Sequence, residues 1–471
     1  MLFLYHQNVP YVTDCKKHPV RHKRKQKVKP SKMKERKMIK MKKFLALALS
    51  AAMTAGILAG CGSDGSTNGG STGGSTSGNG ATITILNSKM EIQEQLEKMA
   101  ESYGKSKGVN VEVYYSSDTI AAHLSTRYAS NEPYTISMVD AKDVYSLAKE
   151  HAVDLSGEDW VKDTTEAISI DGKVYGFPVC VEARGIIYNA DAIKAITGSD
   201  FDPASVKTLD DFNKLLSDLK AGGMAAPTGI MKEDWSLAAH FLAEVYEQQA
   251  DPDAFIKGLH DGTTHMADDA IFNSMMDTFD ALKANNYAEA SAISAEREVT
   301  EQKLAEGELA FMFGGNWDWS VINQYDYSDN MGIMPVPQNG STDANTKLVG
   351  GGSKYFFIDS SSNTSDEQVQ AAKDFLNWMV YDSEGQSFLV NECALVPAFS
   401  NITLAVSDPL GASVKTYADK GALIGNYNYL PDDHYSKLGA AFQEYLANKT
   451  DRAGFGAAID SYWQAATLSE H

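Results

Sequence analysis

Apolar residues along the body of the chain alternate between the spacing of strands and the spacing of helices. Thr82–Asn87 (TITILN), Val109–Ser116 (VNVEVYYS) and Tyr134–Asp140 (YTISMVD) carry apolar residues mainly at every second position, which predicts three strands. The intervening stretches Ile92–Tyr103 and Ile120–Tyr128 repeat apolar residues at helical spacing. An order of strand, helix, strand, helix, strand predicts a parallel or mixed sheet that is covered by helices on both faces.

The same two spacings continue to the end of the chain. Further helices are predicted at Val144–His151, Leu209–Leu219, Ser236–Gln249, Ile271–Lys283, Glu298–Glu306, Ala371–Val380, Tyr435–Ala447 and Phe455–Ala465. Further strands are predicted at the start of Leu309–Trp319 and at Met331–Pro337 and Leu348–Ile358, with an apolar return at Leu389–Pro397. The alternation therefore runs through the whole body of the chain.

Ligands of such sheets collect at the carboxyl ends of the strands. In the first three strands these ends carry Asn87, Ser88, Ser116, Ser117, Asp118 and Asp140. For Asp140 two interpretations stand side by side, a ligand contact and the N-cap of the following helix.

One long β-type stretch, Asp171–Asn189 (DGKVYGFPVCVEARGIIYN), contains a charged interruption at Glu182 and Arg184. A buried strand does not carry two unpaired charges, because each costs several kcal/mol or shifts its pKa. Either the two residues form a local ion pair at a strand end, or they face a cleft that something else fills. The stretch alone leaves both alternatives open.

The chain of 471 residues is 43% hydrophobic, which is sufficient for two or more α/β domains. Its formal net charge of −20 is unevenly distributed. Met1–Lys43 holds 15 of the 42 basic residues and two of the 62 acidic ones, so the chain from Cys61 onward carries 27 basic and 60 acidic residues. A surface this acidic repels phosphate backbones, so we expect no nucleic-acid partner for the body.

A secretory signal explains the basic start. Phe44–Leu58 is an uncharged run of about 15 residues, which matches a signal-peptide core and falls short of the roughly 20 needed to span a bilayer. It ends in Leu58-Ala59-Gly60-Cys61, which resembles the lipobox of bacterial lipoproteins. We therefore expect residues 1–60 to be removed and the Cys61 thiol to carry a lipid, with Met41 as the true start.

Gly62–Gly80 is a Gly/Ser-rich stretch with no core-forming residue, and it is predicted to be a flexible tether with an r.m.s. reach of roughly 25 Å. Beyond Cys61 the chain has Cys180 and Cys393, both in apolar surroundings. Two buried free thiols are favoured over a disulfide, and neither residue has metal-ligand spacing. We expect no metal and no cofactor.

An aromatic pair follows the predicted strand in LAFMFGGNWDW. The Gly314–Gly315 turn places Trp317 where its ring can face a cleft, and core packing is the alternative; for Trp319 core packing is favoured. The serine-hydrolase pattern G-x-S-x-G occurs at Gly69–Gly73 (GGSTG) and Gly104–Gly108 (GKSKG), but neither match follows a predicted strand and opens a helix, as that motif requires. The zinc-protease motif H-E-x-x-H and the Walker lysine loop of P-loop proteins do not occur in the sequence.

The order of segments resembles the family-1 extracellular solute-binding proteins of ABC transporters, the group that includes the maltose binders. The resemblance covers most of Thr82–Trp463 and rests on VYGFPVCVEARGIIYN with TLDDFNKLLSDLK, EGELAFMFGGNWDW, MGIMPVP, LVGGGSKYFFI, and AAKDFLNWMVYDSEGQSFL with ALVPA. It implies an α/β fold with two periplasmic-binding-protein-like (type II) lobes, an interlobe hinge and a central ligand cleft. The expected lobes are residues 81–181 with 350–398, and residues 182–349 with 399–471.

The resemblance also implies the ligand-binding residues. Glu182 becomes a hinge residue that reaches into the cleft, and Trp317 matches the tryptophan on which a sugar ring stacks. The residues expected to join them are Asp140, Glu233, Trp235, Tyr427 and Tyr435, with Tyr429 and His434 near the last cleft segment. For Arg184 two interpretations stay open, a ligand contact and a residue that holds Glu182 in place. Where maltose-type proteins have a Trp and an Asp–Arg pair after the third strand, this chain has Val139-Asp140-Ala141-Lys142, which argues against a maltodextrin.

The resulting expectation is a monomeric, lipid-anchored receptor on the extracellular face of the bacterial cytoplasmic membrane. It binds a carbohydrate, expected to be an oligosaccharide, and delivers it to the transmembrane subunits of an ABC permease. Two alternatives stay open: a receptor for a non-sugar solute, such as a polyamine, whose positive charge the excess of carboxylates would suit, or another small organic solute; and a lipid-anchored glycoside hydrolase with paired carboxylates.

Overall fold

The computed structural model describes residues 80–116, 120–340 and 342–468, except for the side chain of Glu289. The predicted signal region, Cys61 and nearly all of the tether lie outside the described residues. Within them, no helix is long and apolar enough to cross a membrane.

The chain folds as an α/β structure. The strands are β1 (Thr82–Asn87), β2 (Asn110–Tyr115), β3 (Ile136–Asp140), β4 (Ile168–Ile170), β5 (Lys173–Asn189), β6 (Thr228–Gly229), β7 (Phe311–Gly315), β8 (Met331–Met334), β9 (Leu348–Ile358) and β10 (Leu423–Ile424). The α-helices are Gln93–Lys107, Ile120–Ala129, Ala141–His151, Ala190–Thr197, Leu209–Ala221, Ala243–Glu247, Pro252–His260, Ala270–Ala284, Arg297–Ala305, Trp319–Ile322, Asp366–Tyr381, Ser383–Ser387, Pro409–Asp419, His434–Leu446 and Arg452–Ala465. Two segments, Trp235–Leu242 and Phe388–Glu392, are π-helical.

Two long strands, β5 and β9, join the two ends of the sheet. The strand order is β2-β1-β3-β9-β5-β7-β6; in addition, β4 and β8 pair with β5, and β10 pairs with β9. Residues 177–184 of β5 pair with β9, whereas residues 184–188 pair with β7 and residues 186–189 with β8. The strand therefore changes neighbours at Arg184, close to the predicted boundary between the lobes. The lobe boundaries themselves stay a prediction.

Apolar residues cover both faces of the first half of the sheet, as its sequence predicts. Ile83 and Ile85 of β1 point into the large core cluster, and Leu86 points into a smaller cluster on the opposite face. This distribution follows from the strand, since successive side chains alternate between faces. Gly108 ends the helix Gln93–Lys107 in the left-handed conformation, with φ of 73°, as expected for a residue without Cβ.

Two predicted elements differ from the structure. The helix predicted at Ser236–Gln249 begins with the π-helical segment Trp235–Leu242 and continues as an α-helix only over Ala243–Glu247. The apolar return predicted at Leu389–Pro397 is π-helical as far as Glu392. Apolar periodicity does not distinguish i→i+4 from i→i+5 hydrogen bonding over a single turn, so the sequence carries no signal for either feature.

Candidate functional site

A cavity of about 910 Å³ opens beside the middle of β5. Its wall is built from the chain after β1, the end of β3, the centre of β9, the turn after β7, the π-helical segment Trp235–Leu242 and the chain after β10. Most of the residues that the sequence proposes for a ligand site line this cavity: Asp140, Glu182, Arg184, Trp235, Trp317, Tyr427 and Tyr435. The structure thus brings together side chains that are far apart in the sequence.

Glu182 lies in an ionic cluster. Its Oε1 accepts a hydrogen bond from Lys89 Nζ at 2.7 Å, and the same ammonium lies 2.5 Å from Glu91 Oε1. Burial alone raises the pKa of Glu182, but Lys89, Ser353 and Lys354 together hold it below its ordinary value. Burial alone lowers the pKa of Lys89, but Glu182 and Glu91 raise it above the ordinary value. Both groups are therefore charged at neutral pH.

Arg184 is bound to a second set of groups. Its guanidinium donates to Glu247 Oε2 and, at 2.9 Å, to Asn426 Oδ1, and its Nε lies 3.5 Å from Glu244 Oε1. Glu247 Oε1 accepts the backbone N–H of Tyr427 at 3.0 Å. Glu182 and Arg184 therefore have different partners, and a local ion pair between them, one of the two alternatives open from the sequence, is not what the structure shows. Arg184 ties β5 to the chain that follows β10.

Asp140 is the N-cap residue that the sequence allows for, and it also lines the cavity; a ligand contact stays a prediction. It is the N-cap residue of the helix Ala141–His151, with its backbone N–H bonded to Asp143 Oδ2 at 3.2 Å. Its own carboxylate lines the cavity and lies 2.5 Å from Lys354 Nζ. Burial, together with the charge of Asp140, raises the pKa of Asp143 to about 6. Ser88, from the end of the first predicted strand, also lines the cavity.

Trp317 stands on the turn that follows β7. Its ring lies over Gly315, where an added Cβ would come within 2.3 Å of the ring carbons. The turn is fixed to β5 because Asn316 Oδ1 accepts the backbone N–H of Ala183 at 3.0 Å. Trp317 Nε1 is buried and has no hydrogen-bond partner among the described residues. The cavity wall therefore contains an indole N–H group that has no acceptor among these residues.

Trp235 and His240 extend this aromatic wall. The π-helical turn brings residues five apart onto one face, and the two rings are 5.2 Å apart between centroids. His240 in turn lies 4.8 Å from the ring of Trp317. Burial first, and then the positive charges of Arg184 and Arg297, lower the pKa of His240 well below its usual range. The imidazole between the two indoles is therefore neutral.

The chain after β10 supplies the remaining aromatic residues. Tyr427 donates its hydroxyl to Asp253 at 2.9 Å and packs against Tyr429, while Tyr435 is 43% exposed. His434 also lines the cavity, but it is buried against Tyr246, and burial lowers its pKa to about 3.

Glu233 does not line the cavity, and neither do Tyr429 and the strand-end residues Asn87 and Ser116; Ser117 and Asp118 lie outside the described residues. Glu233 Oε2 is buried without a hydrogen-bond partner among the described residues, and its charge helps to raise the pKa of Arg297 against the effect of burial. Cavity residues that the sequence did not reveal include Lys89, Lys142, His240, Lys354, Asn426 and Asp432. Lys89 and Lys142 had a signal, because each lies two residues after the carboxyl end of a predicted strand.

Five carboxylates of the cavity lining share four cations of the lining. The lining carboxylates all have a cationic partner: Glu91 and Glu182 with Lys89, Asp140 with Lys354, Asp432 with Lys142, and Glu247 with Arg184. Among the described residues, no group of three His, Cys, Asp or Glu side chains could hold a metal ion. Cys180 and Cys393 are buried free thiols, as expected.

The chain belongs to the bacterial extracellular solute-binding proteins, because the sequence model of that family matches residues 98–423, more than half of the chain. Solved structures with a similar fold include a chitin oligosaccharide binding protein, with 21% identity, a TM-score of 0.64 and coverage of 81% of this chain and 98% of the other. The protein RafE in complex with raffinose has 19% identity, a TM-score of 0.66 and coverage of 81% and 98%. A family 1 extracellular solute-binding protein from Bifidobacterium longum subsp. infantis has 22% identity, a TM-score of 0.59 and coverage of 82% and 100%.

These similarities confirm the predicted family and the predicted two-lobed α/β fold. The family and these neighbours are binding proteins, and the family is extracellular.

Proposed function

We propose that this protein is a receptor that binds an oligosaccharide in the cavity beside β5 and presents it to an ABC importer. The observation that carries the proposal is the wall formed by Trp235, His240 and Trp317, with ring separations of 5.2 and 4.8 Å. The C–H face of a pyranose packs on such rings, while hydroxyls bond to charged groups held in place by their partners. A volume of about 910 Å³ lies toward the upper end of the range for small-molecule sites.

The lipid on Cys61 and delivery to a permease belong to the same proposal. The support is the lipobox-like Leu58-Ala59-Gly60-Cys61 together with membership of an extracellular solute-binding family. The neighbours that bind chitin oligosaccharide and raffinose favour a sugar of more than one ring.

The charge pairs weigh against both alternatives. A polyamine needs carboxylates without a cation, and those of the cavity wall each have a lysine or arginine partner. A glycosidase needs a carboxylic acid that can donate a proton. Glu182 has a lowered pKa. Burial raises the pKa of Glu247, but its two oxygens accept from Arg184 and from the Tyr427 backbone, so neither is directed at a ligand.

A thermal-shift screen of the chain from Ala81, against raffinose, chitin oligosaccharides and spermidine, tests the proposal. We expect stabilisation by a sugar, no product release from it, and a loss of affinity of about 2 kcal/mol or more in Trp317→Ala. Trp319→Ala is the control, because its ring packs on Tyr327, 4.9 Å away, and is not part of the cavity wall. Stabilisation by spermidine and by no sugar would overturn the carbohydrate assignment, and release of product would indicate a hydrolase.

A further inference from the structure

Arg297, the first residue of the helix Arg297–Ala305, contacts Trp235 of the aromatic wall but does not itself line the cavity. Its guanidinium carbon lies 4.5 Å from the centroid of the Trp235 ring, within the range of a cation–π contact. Its Nε lies 3.1 Å from Glu301, and its NH2 pairs with the buried carboxylate of Asp318. Arg297 is not among the residues that line the cavity, so its role is not that of a ligand contact.

Asp318 connects Arg297 to the second indole, that of Trp317. Asp318 Oδ2 accepts the backbone N–H of Gly315 at 3.0 Å, closing the turn that bears Trp317. Gly315 is also the residue over which the Trp317 ring lies. The Arg297 guanidinium therefore contacts Trp235 directly and reaches Trp317 indirectly, through Asp318 and Gly315. The two indoles themselves come from different elements.

We infer that Arg297 is a positioning residue that sets the orientation of both indoles of the ligand site. Only a planar guanidinium can stack on Trp235 and donate in two directions in its own plane, to Asp318 and to Glu301; an ammonium is a point charge without this fork. Asp318 and Glu301 fix the position of the guanidinium. The guanidinium in turn fixes the Trp235 ring and, through Asp318, the turn that bears Trp317. The consequence for affinity rests on the proposed function, whereas the consequence for the indoles does not.

The test is Arg297→Lys, which keeps the positive charge opposite Asp318 and Glu301. In the ligand-free protein we expect a changed near-UV circular dichroism spectrum, because the indoles lose their fixed orientation. This difference should fall to near zero when the comparison is repeated in a Trp235→Phe, Trp317→Phe background. For raffinose, or whichever screened sugar binds, we expect affinity to fall about three- to tenfold, the scale of a partly buried cation–π contact.

Arg452→Lys is the matched control. Arg452 also bridges two carboxylates, with NH2 2.6 Å from Asp277 and 2.8 Å from Asp280. Like Arg297 it is not among the cavity residues, but unlike Arg297 it makes no cation–π contact with a tryptophan among the described residues. Arg452→Lys should lower thermal stability and leave the near-UV spectrum and sugar affinity unchanged.

If Arg297→Lys behaves like this control, Arg297 is only a structural residue and the inference is wrong. If no screened sugar binds, the proposed function fails, and the ligand-free spectra still decide the inference. Should Arg297→Lys not fold, Asp318→Asn takes its place. This variant can still accept from Gly315 and loses the pair with Arg297, so an unchanged Trp317-dependent spectrum would overturn the inference.

Discussion

Glu244 is a buried carboxyl group with incomplete compensation. Its Oε1 is 3.5 Å from Arg184 Nε, but that guanidinium donates to Glu247. Burial, with a further contribution from Glu247, raises the pKa of Glu244 from 4.5 to about 8. Since the native state then binds a proton more tightly than the unfolded state, the contribution of Glu244 to stability is fully present below pH 4.5 and is lost as the pH rises to about 8.

Replacing the carboxyl group by an amide should remove this pH dependence. We expect Glu244→Gln to give a free energy of unfolding that falls less steeply between pH 5 and 8 than that of the wild type, measured by urea titration at several pH values. Glu296→Gln, at an exposed residue that pairs with Lys232, is the control for a lost carboxylate. Parallel stability curves for Glu244→Gln and the wild type would contradict the raised pKa.

The Lys89–Glu182 pair allows a second prediction. Removal of one partner from a buried pair leaves the other charge uncompensated, at a cost of up to about 3–5 kcal/mol. We expect Lys89→Met to approach this loss in urea unfolding, and the double variant Lys89→Met, Glu182→Gln to recover part of it. Lys98→Met is the control, because its pair with Glu94 is exposed. A double variant less stable than Lys89→Met would argue against an unpaired charge as the cause.

For single residues, the sequence predicts which side chains belong to the candidate site better than it predicts the partners of those side chains. Glu182 and Arg184 are identifiable because charge inside an apolar β-type segment requires compensation. Their partners Lys89 and Glu247 are 93 and 63 residues away in the chain. Such pairings depend on how the strands and helices assemble, and spacing along one chain carries no information about them.

The turn between β7 and the helix Trp319–Ile322 shows how an element positions a side chain. Gly315 has no Cβ, which leaves room for the Trp317 ring, and an added methyl would lie 2.3 Å from it. We expect Gly315→Ala to displace the ring and to weaken sugar binding about as much as Trp317→Ala, when measured by calorimetry. Gly157→Ala, where an added Cβ meets nothing within 4 Å, should bind like the wild type. Unchanged affinity in Gly315→Ala would show that the ring position is not needed.

The first and last residues of strands and helices agree closely with those predicted from apolar periodicity where a segment packs against other elements on both sides. β1 and β9 begin and end at the predicted residues, and the helix Ala270–Ala284 extends its prediction by one residue at each end. The sequence does not predict the π-helical turn at Trp235, and this turn is what brings His240 beside the two indoles. The sequence does not predict His240 as a site residue for that reason, because its place beside the indoles depends on the hydrogen-bonding pattern of its helix.

At the scale of the whole molecule, the order of segments predicted more than any single motif. The two-lobed α/β fold and the family follow from pieces spread over most of the chain, and both are confirmed. The site follows less completely, because its walls come from both sides of β5 and β9. Lys354, for example, is a cavity residue only because β3 pairs with β9 and so places it opposite Asp140.

The cavity also has a charged contact at its rim. Lys142, from the helix that follows β3, pairs with Asp432, from the chain before the helix His434–Leu446, and their side chains are 36% and 77% exposed. In the proposed division of the chain these residues belong to different lobes, so we propose that the pair helps to hold the lobes closed. An exposed pair contributes at most about 1 kcal/mol and is screened by salt.

We therefore expect Lys142→Ala to leave thermal stability nearly unchanged and to speed dissociation of the bound sugar up to about fivefold, the rate equivalent of about 1 kcal/mol. Stopped-flow dissociation at low salt measures this, and the difference from the wild type should shrink at roughly 1 M salt, where screening acts within about 3 Å. Lys214→Ala, which breaks an exposed pair with Asp218 within one helix, should dissociate like the wild type at both salt concentrations. If Lys142→Ala releases the sugar no faster than Lys214→Ala at low salt, the rim contact does not hold the lobes closed, and closure depends on contacts to the ligand itself.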